Sequence, residues 1–177
     1  MKRFISMFFL IVIGFLLQTT VFPHIQLLNV IPNLLIVLTA ASGFMWGRKF
    51  GLFTGFLCGG LMDCMYNDVI GICIFIFVVI GYINGIANKL YFEDDLSIPL
   101  AAIAISDLLY GILYYICMFL MRGRLNMISY FLNIMVPEAI YTIIFGIFIY
   151  KFIHWLDGKL YPPEEVSLDH EENKLFS

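Results

Sequence analysis

Charged side chains are scarce in this sequence: Asp, Glu, Lys and Arg make up 13% of its 177 residues, whereas 62% are hydrophobic. Soluble domains carry about 25% charged and about 45–50% apolar residues. The low charge and a mean hydropathy of +0.94 therefore exclude a soluble globular domain and predict an integral membrane protein. Because a spanning helix needs about 20 residues, six spans would occupy nearly the whole chain and leave no room for a soluble catalytic domain.

The sequence also lacks the motifs of the common catalytic, metal and phosphate sites. It has no Walker A motif, no HExxH, no glycine-rich phosphate loop after a strand, and no nucleophile with a base beside it. The cysteines and histidines are dispersed and lack metal-ligand spacing: Cys58, Cys64, Cys73, Cys117, His24, His154 and His170. Cysteines in apolar surroundings serve most often as small packing residues. The sequence thus predicts a protein that is not an enzyme and binds neither metal nor cofactor.

Six apolar runs separated by short polar breaks predict an all-α integral membrane protein, a compact bundle of six transmembrane helices. The runs cover residues 4–22, 32–46, 51–65, 69–88, 98–121 and 128–156. The first run has a charged start but no small-residue cleavage site, so we expect a retained span. We expect residues 1–157 to form the transmembrane domain and the acidic tail, residues 158–177, to be disordered in the cytoplasm.

Lysine and arginine are distributed unequally between the two sides of such a bundle. With six spans, eight of the ten fall on the side of the two termini, and only Arg122 and Arg124 fall on the other. Basic residues of short loops are retained preferentially in the cytoplasm. The distribution therefore predicts that both termini are cytoplasmic.

Three glycines recur every four residues in the third run, at Gly51, Gly55 and Gly59, and Gly81 and Gly85 repeat that spacing in the fourth. Small residues at this spacing let two helix backbones approach closely in a membrane, where packing and weak Cα–H hydrogen bonds drive association. We favour packing within the bundle over a groove for a partner.

Asp107 is the most costly residue of the chain. It lies about ten residues into the fifth run, roughly 15 Å along a helix, which places it near the bilayer midplane. An Asp at that depth costs about 2.5–3.5 kcal/mol on insertion scales. The sequence offers no obvious ion-pair partner, so we expect Asp107 to face the interior, protonated or hydrogen-bonded to a group such as Tyr110, Thr142 or Asn84. A functional role and a structural polar lock are both open.

Glu138, directly after Pro137, has two interpretations. In one it is a second buried acid in a kinked last helix. In the other, which we favour, the last span starts at these residues near the outer face, with Pro in the first turn and Glu stabilised by the positive helix end. Glu138 would then lie within reach of Arg122 or Arg124.

The stretch "GLMDCMYNDVIG", residues 60–71, contains two further acids. Asp68 precedes an apolar helix and is predicted to be its N-cap, with the side chain accepting from freed backbone N–H groups. Asp63 is predicted near the C-terminal end of a helix, where the dipole disfavours negative charge. It therefore needs hydrogen-bond donors from elsewhere in the fold.

Residues 30–90, beginning "VIPNLLIVLTAASGFMWGRKFG", resemble the central block of the rod shape-determining protein MreD family. The resemblance rests on a Pro-Asn-Leu-Leu opening of the second span, a basic turn with a glycine-rich helix, a "G-L-x-x-D" motif and a later Gly-Tyr pair. These motifs fall on Pro32, Asn33, Leu34 and Leu35; Gly51, Gly55, Phe56 and Gly59; Gly60, Leu61 and Asp63; and Gly71, Gly81 and Tyr82. The last span, "VPEAIYTIIFGIFIY", is also similar. The chain departs from the family at Asn33, where an acid is often found.

The resemblance implies a non-enzymatic member of the bacterial cell-elongation machinery, or elongasome, in the bacterial cytoplasmic (inner) membrane. Such a scaffold would bind a bitopic MreC-like protein and link, directly or indirectly, to the actin-like MreB and to the cell-wall synthases of peptidoglycan synthesis. It would have no cofactor and no nucleic-acid partner, only protein partners and the lipid bilayer.

A rival hypothesis comes from architecture. The family is similar in architecture to the substrate-binding subunits of energy-coupling-factor vitamin transporters, which are six-helix membrane proteins of about this size. A vitamin binder is expected to have polar, aromatic-lined loops around an outward pocket. The loop "FPHIQLLNVI" has few polar groups and "YND" is short, and both observations favour the scaffold.

Overall fold

The computed structural model describes residues 2–25, 30–66, 70–88, 97–117 and 130–160, and these residues form six α-helices. The helices are α1 (Lys2–Leu16), α2 (Leu34–Trp46), α3 (Arg48–Tyr66), α4 (Ile72–Ala87), α5 (Ser97–Tyr115) and α6 (Val136–Leu160). A π-helical turn (Leu17–Val21) and a 3-10 turn (Phe22–His24) extend α1, and another π-helical turn (Phe131–Met135) precedes α6. The predicted all-α architecture is confirmed. The tail was predicted to be disordered from residue 158, but α6 continues to Leu160; the rest of the tail, residues 161–177, lies outside the described part of the chain.

Helix α2 lies at the centre of the bundle. It contacts each of the other five α-helices, and every residue from Leu34 to Met45 is buried. An all-round apolar surface is typical of a buried helix. Its 13 residues rise only about 20 Å, less than the roughly 30 Å hydrocarbon core. The apolar character of α2 is therefore explained by burial among helices rather than by contact with lipid.

Three helical segments are long and apolar enough to cross a membrane, judged by length and composition within the described residues. They are Phe4–His24, Ser97–Tyr115 and Val136–Leu156, whereas α2 and α4 are shorter apolar helices. These segments agree with the prediction of a membrane protein. The count of six spans and the location of the termini stay predictions.

A single residue, Gly47, separates α2 from α3. Its φ of 84° lies in the left-handed region, which glycine enters without the steric cost of a Cβ. The third apolar run was predicted to begin at Gly51, but α3 begins at Arg48. The predicted basic turn is thus the first turn of α3, with Arg48 and Lys49 exposed.

The bundle has two chemically different ends. At one end, here called the capped end, α2 and α6 begin, and polar side chains bond to the first turn of α2. The other end, here called the basic end, holds the start of α3 and the last turns of α6. The basic residues whose side chains are described are all exposed, in the first turn of α3 or the second half of α6: Arg48, Lys49, Lys151 and Lys159.

Candidate functional site

The glycines of α3 face α4 in a regular antiparallel register. The close pairs are Gly51 with Gly81, Gly55 with Phe77, and Gly59 with Cys73 and Ile74. A Cβ at Gly55 would lie 2.5 Å from the carbonyl oxygen of Phe77, a distance that real Cβ atoms do not reach. Gly60, one residue away from the stripe, would meet nothing within 4 Å. The stripe therefore lies inside the bundle, against another helix of the same chain.

Asp63 is fully buried at the end of α3 and bonds to the beginning of α4. Its Oδ2 accepts from the backbone N–H groups of Gly71 at 2.8 Å and Ile74 at 3.0 Å, and its Oδ1 accepts from Cys73 at 3.0 Å. The first N–H groups of a helix have no partner within the helix, and they form its positive end. We expected Asp63 to need hydrogen-bond donors from elsewhere in the fold, and these donors are the N–H groups at the start of the next helix.

The N-cap of α4 is Gly71, with a φ of 116° and no side-chain cap of its own. Asp68, which we expected at that position, lies outside the described residues and three positions before the cap. The capping carboxylate comes instead from Asp63, eight residues before Gly71. A cap donated by a neighbouring helix leaves no short-range sequence signal, so the N-cap rule alone does not find Asp63.

Helix α2 begins two residues after Pro32, the first residue of the second predicted apolar run. The N-cap is Asn33, whose Oδ1 accepts from the backbone N–H of Ile36 at 3.3 Å. Asn33 is 2% exposed, and a cap of this kind fixes where a helix starts. Gln18, at the end of the first helical segment, accepts from the Leu35 N–H at 3.2 Å. The sequence reading did not single out Gln18, because an isolated glutamine in an apolar run has no motif around it.

Asp107 lies on α5, is 4% exposed, and is linked to the start of α2 through α6. Thr142 hydrogen-bonds the Asp107 carboxyl, and the Thr142 hydroxyl oxygen accepts from the Asn33 backbone N–H at 3.0 Å. The connection joins three helices that are far apart in sequence. Within the described part of the chain, Oδ1 of Asp107 is buried and has no hydrogen-bond partner.

The other two partners suggested for Asp107 are differently placed. Asn84 donates to the Ile80 carbonyl at 2.9 Å and to the Ser106 hydroxyl at 2.7 Å, and Ser106 in turn donates to a carbonyl of its own helix. Tyr110, one turn further along α5, is 7% exposed and packs edge-on against Phe77. Of the three candidates named from sequence, Thr142 is therefore the one that bonds to Asp107.

Glu138 lies in the first turn of α6 and is partly exposed. Its carboxyl is close enough to Asp107 for the two to interact electrostatically, and it interacts in the same way with Tyr110 and Tyr130. Asp107 and Glu138 are hereafter called the carboxyl pair. Two carboxylates in a low-dielectric interior repel each other unless a proton or a cation neutralises one of them.

The position of Glu138 combines features of both interpretations. Helix α6 proper starts at Val136, so Pro137 and Glu138 do occupy its first turn. The chain is already helical before that point, because the π-helical turn Phe131–Met135 leads directly into α6. Proximity to Asp107 favours the interpretation of a second interior acid. Arg122 and Arg124, the suggested partners, lie outside the described residues.

The described side chains of this arrangement offer hydrogen bonds and charge. Among the described residues, no three side chains of His, Cys, Asp or Glu are grouped as metal ligands. The buried polar side chains mostly bond helices together, as in the 2.6 Å contact between the hydroxyls of Ser42 and Thr54. What the site can do is hold helices in place and, at the carboxyl pair, attract a positive group.

Comparison with known proteins gives one match. The model of the family described as "MreD: rod shape-determining protein MreD" matches residues 1–156. No curated protein and no solved structure matches the chain. The matched region contains all six helices up to the last turn of α6, with Asn33, Asp63 and the carboxyl pair. This chain therefore belongs to the rod shape-determining protein MreD family, a family of membrane proteins involved in determining rod cell shape.

Proposed function

We propose that the chain is a non-enzymatic membrane scaffold of the bacterial elongation complex, which takes part in rod shape and peptidoglycan synthesis. In this proposal it is a multi-pass protein of the bacterial cytoplasmic membrane, with six spans and cytoplasmic termini. The family match over residues 1–156 is the observation that carries the proposal.

The proposed partners are a bitopic MreC-like protein, and, directly or through it, MreB and cell-wall synthases. Support comes from the surface of the bundle. Large apolar side chains are exposed on α1 and α6, among them Phe9 at 62%, Phe148 at 68% and Trp155 at 55%. Such faces suit lipid or the apolar helix of a membrane partner. Binding between helices, rather than catalysis, is the activity that these surfaces favour.

The exposed basic residues support the proposed orientation. Arg48 and Lys49 lie at the basic end, and the retention of basic residues in the cytoplasm would place that end inside the cell. The N-terminal turns of α2 and α6 would then face the periplasmic half of the membrane. A bitopic partner would be able to contact either half.

Co-purification tests the proposal directly. The full chain, carrying an affinity tag, is co-expressed with the MreC-like protein of the same organism, solubilised in mild detergent and captured. We expect the MreC-like protein in a fixed ratio to the chain, and an unrelated bitopic membrane protein expressed to the same level is the control. Capture no better than that control contradicts the proposed partnership.

The transporter hypothesis predicts a different result in the same experiment. If a vitamin is retained through purification, or if a transporter ATPase module is captured, the result supports the transporter hypothesis and contradicts the scaffold proposal. A groove of about 400 Å³ formed by described residues lies at the basic end, where Trp46, Arg48 and Asn88 line it. A transporter subunit is expected to open on the opposite side, so this groove does not favour the rival.

A further inference from the structure

The carboxyl pair is an acidic site without a basic counterpart in the described part of the chain. Asp107 is 4% exposed and its Oδ1 has no hydrogen-bond partner. Its Thr142 contact supplies one donor, which is fewer than a buried carboxylate needs, because each carboxylate has about four acceptor positions. Glu138 lies four residues before Thr142 on α6, and therefore on the same face of that helix, and its carboxyl interacts electrostatically with that of Asp107.

Tyrosine side chains are also part of the surroundings of Glu138. Tyr110 and Tyr130 both interact electrostatically with Glu138, and the Tyr110 ring stacks on Tyr114 with centroids 5.6 Å apart. Tyrosine ring faces attract guanidinium and ammonium groups, and a planar guanidinium bonds carboxylates in a two-pronged geometry. Carboxylates combined with tyrosine rings are therefore suited to a positive side chain, whereas phosphate or another anion would be repelled.

The positions of the two acids give the site a direction. Asp107 is the eleventh of the 19 residues of α5 and is 4% exposed, whereas Glu138, in the first turn of α6, is partly exposed. The surface next to it is apolar, with Leu132 60% exposed and Ile134 40% exposed. A long basic side chain on a membrane helix packed there could reach the pair, its apolar stem covered by these residues.

We propose that the carboxyl pair, with Tyr110, Tyr114 and Tyr130 beside it, receives a lysine or arginine side chain from a partner membrane protein. This inference rests on the proposed scaffold function for the source of the side chain. The partner's charge neutralises the repulsion between the two carboxylates and bonds the free oxygen of Asp107. Removal of either acid is therefore expected to weaken the complex without removing the helix contacts that hold the chain together.

The first experiment examines the site without any partner. The purified full chain is melted in detergent with n-butylguanidinium chloride, an analogue of the arginine side chain, and with sodium chloride at equal ionic strength. We expect the probe to raise the melting temperature by about 3 °C when it is several-fold above its Kd. The rise is expected to vanish in Glu138→Gln and in Asp107→Asn/Glu138→Gln, and to persist in Tyr141→Phe, a matched change on the same helix.

The second experiment examines the partner. Co-purification of the MreC-like protein is expected to fall about tenfold or more for Asp107→Asn/Glu138→Gln, and to be unchanged for Tyr141→Phe and for Arg122→Gln/Arg124→Gln. A tenfold loss corresponds to one buried charge pair of modest strength. If the double variant folds poorly, the isosteric single variant Glu138→Gln takes its place in the co-purification.

Several results would overturn the inference. If the probe has no effect on the wild type but stabilises Arg122→Gln/Arg124→Gln, the chain's own arginine occupies the site. If n-butylguanidinium raises the melting temperature of neither the wild type nor any variant, the site binds no such cation, and protons alone neutralise the two acids. Equal co-purification by wild type and the folded double variant excludes docking of a partner side chain. If the wild type responds to the probe but captures no MreC-like protein, the proposed partnership fails while the cation site is supported.

Discussion

Asp63 and Asp107 are two buried aspartates of one bundle with opposite surroundings. Asp63 accepts three backbone hydrogen bonds from the first turn of α4, so the positive helix end offsets the cost of burying its charge. Asp107 has an oxygen without any partner in the described residues and a second acid nearby. The first carboxylate stabilises the fold, and the second is retained at a cost in stability.

The difference shows which kind of buried acid indicates a function. A satisfied carboxylate is explained by the helix that it caps and needs no ligand. An unsatisfied one destabilises the folded state unless something else binds it. Burial, which the two aspartates share, does not separate these cases, whereas the count of hydrogen-bond donors does.

The largest effect is expected for Asp63→Ala. One buried and two partly buried N–H groups would lose their acceptor, and a buried unsatisfied group costs about 1–3 kcal/mol, so we expect a loss of about 3 kcal/mol in the free energy of unfolding. Thermal melting of the purified protein in detergent measures it. Asp63→Asn keeps one oxygen and should lose less. An Asp63→Ala variant that melts like the wild type would remove the contrast between the two aspartates.

The next largest effect is expected for Gly51→Ala. This variant tests whether α3, the helix that carries Asp63, must pack directly against the backbone of α4. The new Cβ would meet the carbonyl of Gly81, and overpacking of this kind costs about 1–3 kcal/mol. Gly60→Ala is the matched control, because nothing lies within 4 Å of its Cβ, and helix propensity predicts a gain of up to about 1 kcal/mol there. Equal melting temperatures for the two variants would show that α3 and α4 are not held in this register.

Asp107→Asn is expected to change stability in the opposite direction to Asp63→Ala. Replacing a buried, incompletely paired charge by a neutral group of the same shape is commonly neutral or stabilising, here by about 1 kcal/mol. The melting temperature of the isolated chain should therefore hold or rise, while rod shape is not restored when the variant replaces the wild-type gene. A large fall in melting temperature would assign Asp107 to the fold, and normal rod shape would remove its functional role.

The smallest effect is expected for Tyr141→Phe. The Tyr141 hydroxyl donates to the Ile25 carbonyl at 2.9 Å and connects α6 to the end of the first helical segment. Loss of one such hydrogen bond costs about 0.5–1.5 kcal/mol. Melting of the purified variant measures it, with Phe22→Leu as a control for ring packing at the same place. If Tyr141→Phe lowers the free energy of unfolding as much as Asp63→Ala does, the hydrogen bond between Tyr141 and Ile25 contributes as much to stability as the cap of α4.

Local patterns in the sequence were enough to predict the helices and one of the Asp107 partners. The apolar runs gave an all-α bundle with bounds within a few residues, and the glycine spacing gave a close helix contact. The π-helical turns at Leu17–Val21 and Phe131–Met135 were not predicted, because their hydrophobic pattern hardly differs from that of an α-helix. Helix α2 was predicted only as a short span, since its burial on all sides depends on its neighbours.

The unpredicted parts of the site depend on how helices are rotated and staggered against each other. The cap that Asp63 provides, and the proximity of Glu138 to Asp107, join residues on different helices, and no periodicity along one helix encodes such a pair. Asp68 followed the local N-cap rule, yet the residue at that cap is Gly71. Rules for one helix end therefore identified polar groups that need partners, but only the packed bundle identifies the partners.

The contact between Gly51 and Gly81 also limits how the protein can evolve. When two large side chains meet in a core, an enlargement on one side can be compensated by a smaller residue on the other. Here both partners are glycine, and neither has a side chain to shorten. The α2 residue that borders the contact, Gly43, is a glycine as well, so a smaller side chain at Gly81 or Gly43 is not available, and second-site suppressors of Gly51→Ala are expected to be rare.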